Sequence, residues 1–191
     1  MTHLDLAKPS DWVARYSHLM TQGQAILDMA CGSGRHSKLF ADKGCLVTAV
    51  DVSIEALLAL RSHSPSVRTV QADIENAPWP LMQSGKSQTF DAIVVTNYLH
   101  RPLMPTLLAS LAGDGILIYE TFAVGNETVG KPSRPDFLLR TGELLQACAA
   151  MRVVAFEDGG LFVQPGNYSY YLEKKTERDA LNQAARVSVT K

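Results

Sequence analysis

The chain reads as an α/β protein whose mainly parallel sheet is covered by helices on both faces. Three observations predict this. Strand-like and helix-like segments alternate from about residue 10 to residue 173, the pattern of repeated strand–helix crossovers. Residues 90–96 are almost wholly apolar, as a strand buried on both faces must be. The apolar run that ends at Asp28 passes directly into a loop holding Gly32 and Gly34, as a strand does when it hands the chain to a helix at the sheet edge.

The elements follow in order. Ser10 precedes Trp12, Tyr16 and Leu19 at helical spacing, which predicts a first helix over about 10–20. Residues 25–28 read as a strand, 37–43 as a helix stopped by Gly44, and 45–50 as a strand ending at Asp51. Ser53 caps a Leu-rich helix over 54–61, and 67–71 forms a third strand. Residues 78–87 read as loop, 103–111 as a helix, and Gly113 to Gly115 as a turn into a strand over 116–119. A long Gly/Pro/Asn segment over 123–135 leads to a helix around 142–150. Strands over 153–157 and 168–173, separated by turn residues, predict an antiparallel hairpin that makes the sheet mixed. Residues 1–175 thus form one domain, and 176–191 read as a polar tail, frayed or disordered.

Composition narrows the function classes. The 191 residues suit one domain, and 46% apolar content is that of a globular chain. A net charge of −1 gives no electrostatic pull toward nucleic acid or anionic membranes, which disfavours nucleic-acid partners without excluding them. Cys31, Cys45 and Cys148 are too scattered for a disulfide framework or a zinc site. They read as reduced, buried thiols, and no metal is expected. Residues 1–6 lack an apolar segment of signal-peptide type, and no apolar run is long enough to span a bilayer. The expectation is a cytoplasmic protein.

The loop from Asp28 to His36 is the centre of the functional reading. Gly32 and Gly34 are able to take positive φ and admit a ligand close to the backbone. Asp51 ends the second strand and Asp73 follows the third. In a doubly wound sheet these positions line one edge beside the glycine loop. Asp51 is placed to accept hydrogen bonds from both hydroxyls of a ribose, and Asp73 from an exocyclic amine. Asp28 is placed to meet a cationic ammonium, directly or through water. Asp51 has an alternative role capping the helix that starts at Ser53, and Asp73 as the head of an Asx-turn. A dinucleotide loop would carry a third glycine where Ser37 stands, and an acid before the loop would repel pyrophosphate. Arg35 and His36 read either as exposed residues of a first helical turn or as ligands.

These residues carry a family resemblance. The run from Leu27 to His36, with residues 49–53 and 71–74, resembles the class I S-adenosylmethionine-dependent methyltransferases, and most closely their small tellurite-resistance-type and methyltransferase-domain members. The resemblance implies a Rossmann-like, doubly wound sheet of seven strands in the order 3-2-1-4-5-7-6, the last strand antiparallel. It implies S-adenosylmethionine as cofactor and S-adenosylhomocysteine as product. It also implies that Asp28, Met29, Ala30, Gly32 and Gly34 hold the methionine part. Asp51 with Val52 would hold the ribose, and Asp73 with Ile74 the adenine. By similarity to related small methyltransferases, Arg15 on the first helix would meet the methionine carboxylate. Trp12 and Tyr16 read as packing.

Acceptor groups belong after the fourth and fifth strands. Asn97 and Tyr98 are placed for cofactor contacts, and His100 as a general base or as a residue that orients the loop. Glu120 reads as a base or as a structural carboxylate at a strand end. Lys131 and Arg134 lie on the long loop, either to pair with an anionic substrate or as a solvated cationic surface. The Asn/Asp-Pro-Pro-Tyr/Phe signature of enzymes that methylate base or glutamine amide nitrogens is missing at residues 96–99. No inserted recognition domain is visible, so a small-molecule acceptor is the preferred reading. The rivals are a non-catalytic cofactor- or partner-binding module, an RNA or protein methyltransferase that needs a partner, and, last, a NAD-dependent oxidoreductase. The sequence leaves the oligomeric state open.

Overall fold

A computed structural model describes residues 8–83, 85–158 and 184–190. Its seven-stranded sheet is built from β1 (Ala25–Met29), β2 (Leu46–Asp51), β3 (Arg68–Gln71), β6 (Phe90–Thr96), β7 (Leu111–Phe122), β8 (Arg152–Asp158) and β9 (Ala184–Thr190). A separate two-stranded hairpin, β4 (Met82–Gln83) with β5 (Lys86–Ser87), occupies part of the stretch expected to be loop. The sheet order is β3-β2-β1-β6-β7-β9-β8. The first five strands pair in parallel, and β9 lies antiparallel to both neighbours. Counted within this sheet alone, the order is 3-2-1-4-5-7-6.

The strand that fills the antiparallel slot is not the one expected. Residues 168–173, read as the last strand, lie outside the described residues. Ala184–Thr190 pairs with β7 and β8 instead, so the sheet extends into the segment read as a polar tail. Its alternation of small, polar and β-branched residues suits a paired strand, but its short apolar content hid it. A second difference lies in β7, which starts at Leu111 rather than at residue 116. Phe90 pairs with Leu111 and Ala92 with Ile116. Residues 112–115 therefore form an irregularity within the strand rather than a turn before it.

The two faces of the sheet are separate cores. On β6, Ala92 and Val94 point to one face and Ile93 and Val95 to the other, all fully buried. Helices α1 (Asp11–Tyr16), α2 (Arg35–Asp42) and α3 (Ile54–His63) cover the first face, through Trp12, Val13, Phe40, Leu57 and Leu60. Helices α4 (Met104–Ala109) and α5 (Glu143–Ala147) cover the second, through Leu107 and Leu144. Both α1 and α3 begin at serine caps: the Ser10 hydroxyl accepts from Val13 N at 3.1 Å and the Ser53 hydroxyl from Ala56 N at 3.2 Å. Trp12 and Tyr16 meet edge-on at 4.8 Å between ring centroids, which makes them packing residues. Among the described residues, no helix is long and apolar enough to cross a membrane.

Candidate active site

Parallel strands β1, β2, β6 and β7 all end at one edge of the sheet, where backbone groups run out of ladder partners and the chain must turn. The turn after β1 is built from three residues at positive φ: Ala30 (52°), Gly32 (53°) and Gly34 (79°). Cys31 N bonds Val50 O at 3.0 Å and Gly34 N bonds Cys31 O at 2.9 Å, which closes the loop against β2. The Gly32 amide then donates to Asp51 Oδ2 at 2.7 Å, while Ser53 N donates to Oδ1 at 2.9 Å. Asp51 thus fixes Ser53, the cap of α3, and braces the glycine loop. A carboxylate offers about four acceptor positions, and these two amides leave the others for a ligand. A Cβ added at Gly32 would meet nothing within 4 Å, so the loop presents open space beside Asp51.

Asp28 lies beneath this loop, 1% exposed, and accepts the Ser37 hydroxyl at 2.5 Å. Burial pushes its carboxyl up to about 6, against the pull of Ser37 and of the nearby Arg35 guanidinium. Ser37 stands where a dinucleotide fingerprint would hold glycine, and here its hydroxyl is the partner of the buried acid. The motif alone marks Ser37 only as the absence of a glycine.

His36 is not an exposed residue of a helical turn. It is 1% exposed. Its Nε2 accepts from Ser10 N at 3.1 Å, and its Nδ1 lies 3.4 Å from Thr96 Oγ1. The ring is therefore neutral and protonated on Nδ1. Burial, then Arg35, hold its pKa down to about 3. The Ser10 hydroxyl also donates to Glu120 Oε2, and Glu120 is 3% exposed at the end of β7. Ser10, His36, Thr96 and Glu120 thus fasten the start of α1 across the ends of β6 and β7. The half-buried Arg35 adds a 3.4 Å bond to Lys8 O. No spacing in the sequence joins these residues, which come from four separate segments.

Arg15 sits elsewhere. Its guanidinium pairs with Glu157 Oε1 at 3.1 Å, with both side chains largely in solvent. Asp73 heads a turn: its Oδ1 accepts from Glu75 N at 3.0 Å and Asn76 N at 3.1 Å, and the Asn76 amide bonds both carboxylate oxygens. Those bonds, Asn76 first, hold the Asp73 carboxyl below its ordinary value. This is the Asx-turn alternative. Ile74 packs partly buried against the second-face core, whereas Val52 is 63% exposed at the rim.

After β6, Asn97 takes φ 55° and donates its amide to Glu120 O at 2.8 Å. The Tyr98 hydroxyl donates to Glu75 Oε1 at 3.1 Å, and Glu75 Oε2 lies 3.9 Å from His100 Nδ1. Burial, then Glu75, push the Tyr98 hydroxyl far up, which keeps it a donor. Glu75 therefore joins Tyr98 and His100 at this edge, a grouping that no spacing in the sequence announces.

After β7 the long loop is tied down at several points. Val124 N bonds Leu139 O and Leu139 N bonds Phe122 O, each at 2.9 Å. The Asn126 amide donates to Pro132 O at 2.8 Å. Arg101 is the main clamp: it grips Glu143 through two bonds of 2.6 and 2.9 Å, and donates to Asp136 O and Leu138 O at 2.8 Å each. Lys131 is exposed on the loop. Arg134 is exposed too, paired with Asp136 at 3.1 Å and lying 5.1 Å from the Phe137 ring centre. Residues of the loop and Arg101 line an open cavity of about 390 Å³.

Residues 26–113 match the methyltransferase domain family. The chain has a class I methyltransferase fold. TehB from Haemophilus influenzae superposes over 99% of the chain and 64% of its own length, with a TM-score of 0.71 at 17% identity. Coclaurine N-methyltransferase, crystallised with N-methylheliamine and S-adenosylhomocysteine, covers 93% of the chain and 70% of its own length, with a TM-score of 0.65 at 17% identity. A malonyl-[acyl-carrier protein] O-methyltransferase of Serratia marcescens is 26% identical over 142 residues, 68% of the chain and 54% of that protein. The chain spans about half or less of the curated relatives it matches. The matched domain runs from β1 to the irregular start of β7, and so contains the glycine loop, Asp51, Asp73 and the Asn97–His100 segment.

Proposed function

We propose that the chain is a methyltransferase that takes its methyl group from S-adenosylmethionine and delivers it to a small-molecule acceptor. One observation carries the reading: Asp51 braces the Gly32 amide while the space beside Gly32 stays open to a ligand. In this reading the loop from Asp28 to Gly34, with Met29 and Ala30, cradles the methionine part. Asp51 and Val52 take the ribose side, Asp73 and Ile74 flank the adenine, and Asn97 stands near the sulfonium. Asp73 keeps its turn bonds and offers its remaining acceptor positions to the adenine amine. Arg15, engaged with Glu157 on the surface, has no part in it. Transfer is an in-line displacement: an acceptor lone pair forms the bond to the methyl carbon, and the carbon–sulfur pair departs with sulfur. The protein's task is alignment, with removal of a proton where the acceptor bears one. Tyr98, His100 and Glu120 border that position. The curated relatives are named O-methyltransferases, so oxygen acceptors are the first chemistry to survey.

The test is calorimetric titration with S-adenosylhomocysteine and, separately, NAD, on the wild type and on Asp51→Ala. Binding of S-adenosylhomocysteine alone in the micromolar range, lost in a variant that still melts cooperatively, is the expected result. Preferential NAD binding, or no binding of either, overturns the reading. Formation of S-adenosylhomocysteine from S-adenosylmethionine in an acceptor survey then separates an enzyme from a binding module.

A further inference from the structure

The cavity of about 390 Å³ is formed by the loop that follows β7 together with Arg101. Val124 stands two residues beyond the end of β7 and Arg101 five beyond the end of β6, so its lining springs from the carboxyl edge of the sheet, where acceptor groups belong. Its apolar wall is Val124, Pro135 and Leu138, and its charged lining includes Arg101, Asp136 and Arg140. The loop is bonded at Val124, Asn126, Asp136, Leu138 and Leu139, so this shape needs no ligand to hold it. A cavity of this size with one apolar wall and a few fixed polar groups suits a small amphiphilic ligand.

The charges decide which kind. Arg101 spends its guanidinium on Glu143 and two loop carbonyls. Asp136 is paired with Arg134. Glu127, also in the lining, is turned back onto the Gly125 amide at 2.7 Å. Arg140 is the remaining cation of the lining: its backbone N–H holds Glu143 at 2.8 Å, and its exposed guanidinium, with no hydrogen bond and no ion pair within 4 Å among the described residues, acts on Glu143 only through space. We infer that this cavity is the acceptor pocket and that it selects an anionic amphiphile, an organic acid whose charged group meets Arg140 and whose apolar body lies against Val124, Pro135 and Leu138. The inference rests on the methyltransferase reading above and names the substrate class of that same site. Arg140 is the specificity residue here, because it lines the cavity, whereas Lys131 and Arg134 do not. A guanidinium matches a carboxylate or a phosphate through paired N–H donors, and it loses little hydration when it does so.

Octanoate is the probe, with octylamine as its cationic counterpart, each titrated into the full chain saturated with S-adenosylhomocysteine. Binding is followed by backbone amide NMR shifts. Octanoate is expected to shift residues 124–140, with an affinity at least tenfold above that of octylamine, and Arg140→Gln is expected to weaken it at least fivefold. Arg140→Lys should restore part of the affinity, which shows that charge rather than loop shape is lost. Equal binding of octylamine, unchanged affinity in Arg140→Gln, or shifts confined to residues outside the loop each overturn the inference. So does an absence of octanoate binding in a chain that binds S-adenosylhomocysteine normally. Failure of S-adenosylhomocysteine itself to bind is a separate result, and it falls on the methyltransferase reading.

Discussion

Gly32 and Gly34 share one loop and one backbone handedness, yet alanine should act differently at the two. At both positions the substitution forces an L-residue into left-handed φ, which costs about 1–2 kcal/mol. Ala30, at φ 52° in the same loop, shows that the fold tolerates such a residue. At Gly32 that is the whole cost to the fold, because an added Cβ meets nothing within 4 Å. At Gly34 the Cβ would stand 2.4 Å from Leu60 Cδ1, 2.6 Å from Cδ2 and 2.9 Å from Cγ. Leu60 is a 2% exposed member of the first-face core, so it has to displace packed neighbours. Overpacking of this kind adds about 1–3 kcal/mol. Gly34→Ala should therefore lose about 2–5 kcal/mol in urea unfolding, against about 1–2 kcal/mol for Gly32→Ala. Combining Gly34→Ala with Leu60→Ala should recover about 1–3 kcal/mol relative to the sum of the single losses. Affinity for S-adenosylhomocysteine should run the other way, with Gly32→Ala the more damaging where the fold is intact. Equal destabilisation at the two glycines, or additivity in the double variant, refutes the argument.

The other predictions concern buried charge and the loop clamp. Asp28 binds its proton more tightly folded than unfolded, with a carboxyl near 6 against an ordinary value of about 4, so stability should fall as pH rises from about 4 to about 6 by roughly 3 kcal/mol. Asp28→Asn should remove that slope from the urea midpoint measured between pH 4 and 7, and an unchanged slope counts against it. His36 works oppositely, since it stays neutral to about pH 3 while an unfolded histidine charges below about 6.5. Its contribution is full above about 6.5 and is lost as pH falls toward 3, and His36→Gln should flatten that acid loss. Arg101→Lys cannot reproduce the two-pronged grip on Glu143. Amide exchange over residues 134–143 should rise at least tenfold while β1 and β6 stay protected; protection unchanged in the loop would show that the clamp is not what holds it.

The parts of the fold that could be read beforehand are those where local chemistry and burial agree. β1, β2 and β6 each carry an apolar run that ends at a polar residue, so their period and their stops coincide. β9 defeated that approach because residues 184–190 carry no long apolar run; their strand identity comes from the two edges, β7 and β8, that they join. The site divides the same way. Gly32, Gly34 and Asp51 were legible because a tight turn beside a strand end constrains residue type within a few positions. The residues that fix the site from outside the motif were not. Ser10 is 26 positions from His36 and 110 from Glu120, and a contact at that separation leaves no local trace. The pairing of Arg15 was hidden for the same reason: its place on α1 was predictable, but its ion pair with Glu157 on β8 joins residues 142 positions apart.

At the carboxyl edge, strained backbone and buried polar side chains lie next to one another. Ala30 and Asn97 are non-glycine residues at positive φ, and one follows β1 while the other follows β6. Residues held in that region persist only where their surroundings overdetermine them. The surroundings here are named: the Glu120 carbonyl fixes Asn97, and the adjoining Cys31 and Gly32 amides are held by Val50 and Asp51. Glu120 also holds Ser10, which holds His36 in the first turn of the helix that follows the glycine loop. The strained turns and the first helix are therefore one bonded assembly. On the function proposed above, a cofactor entering between Asp51 and Asn97 would meet backbone already set for it, with little ordering left to oppose binding. That arrangement also ties the start of α1 to the glycine loop through buried hydrogen bonds rather than through sequence proximity.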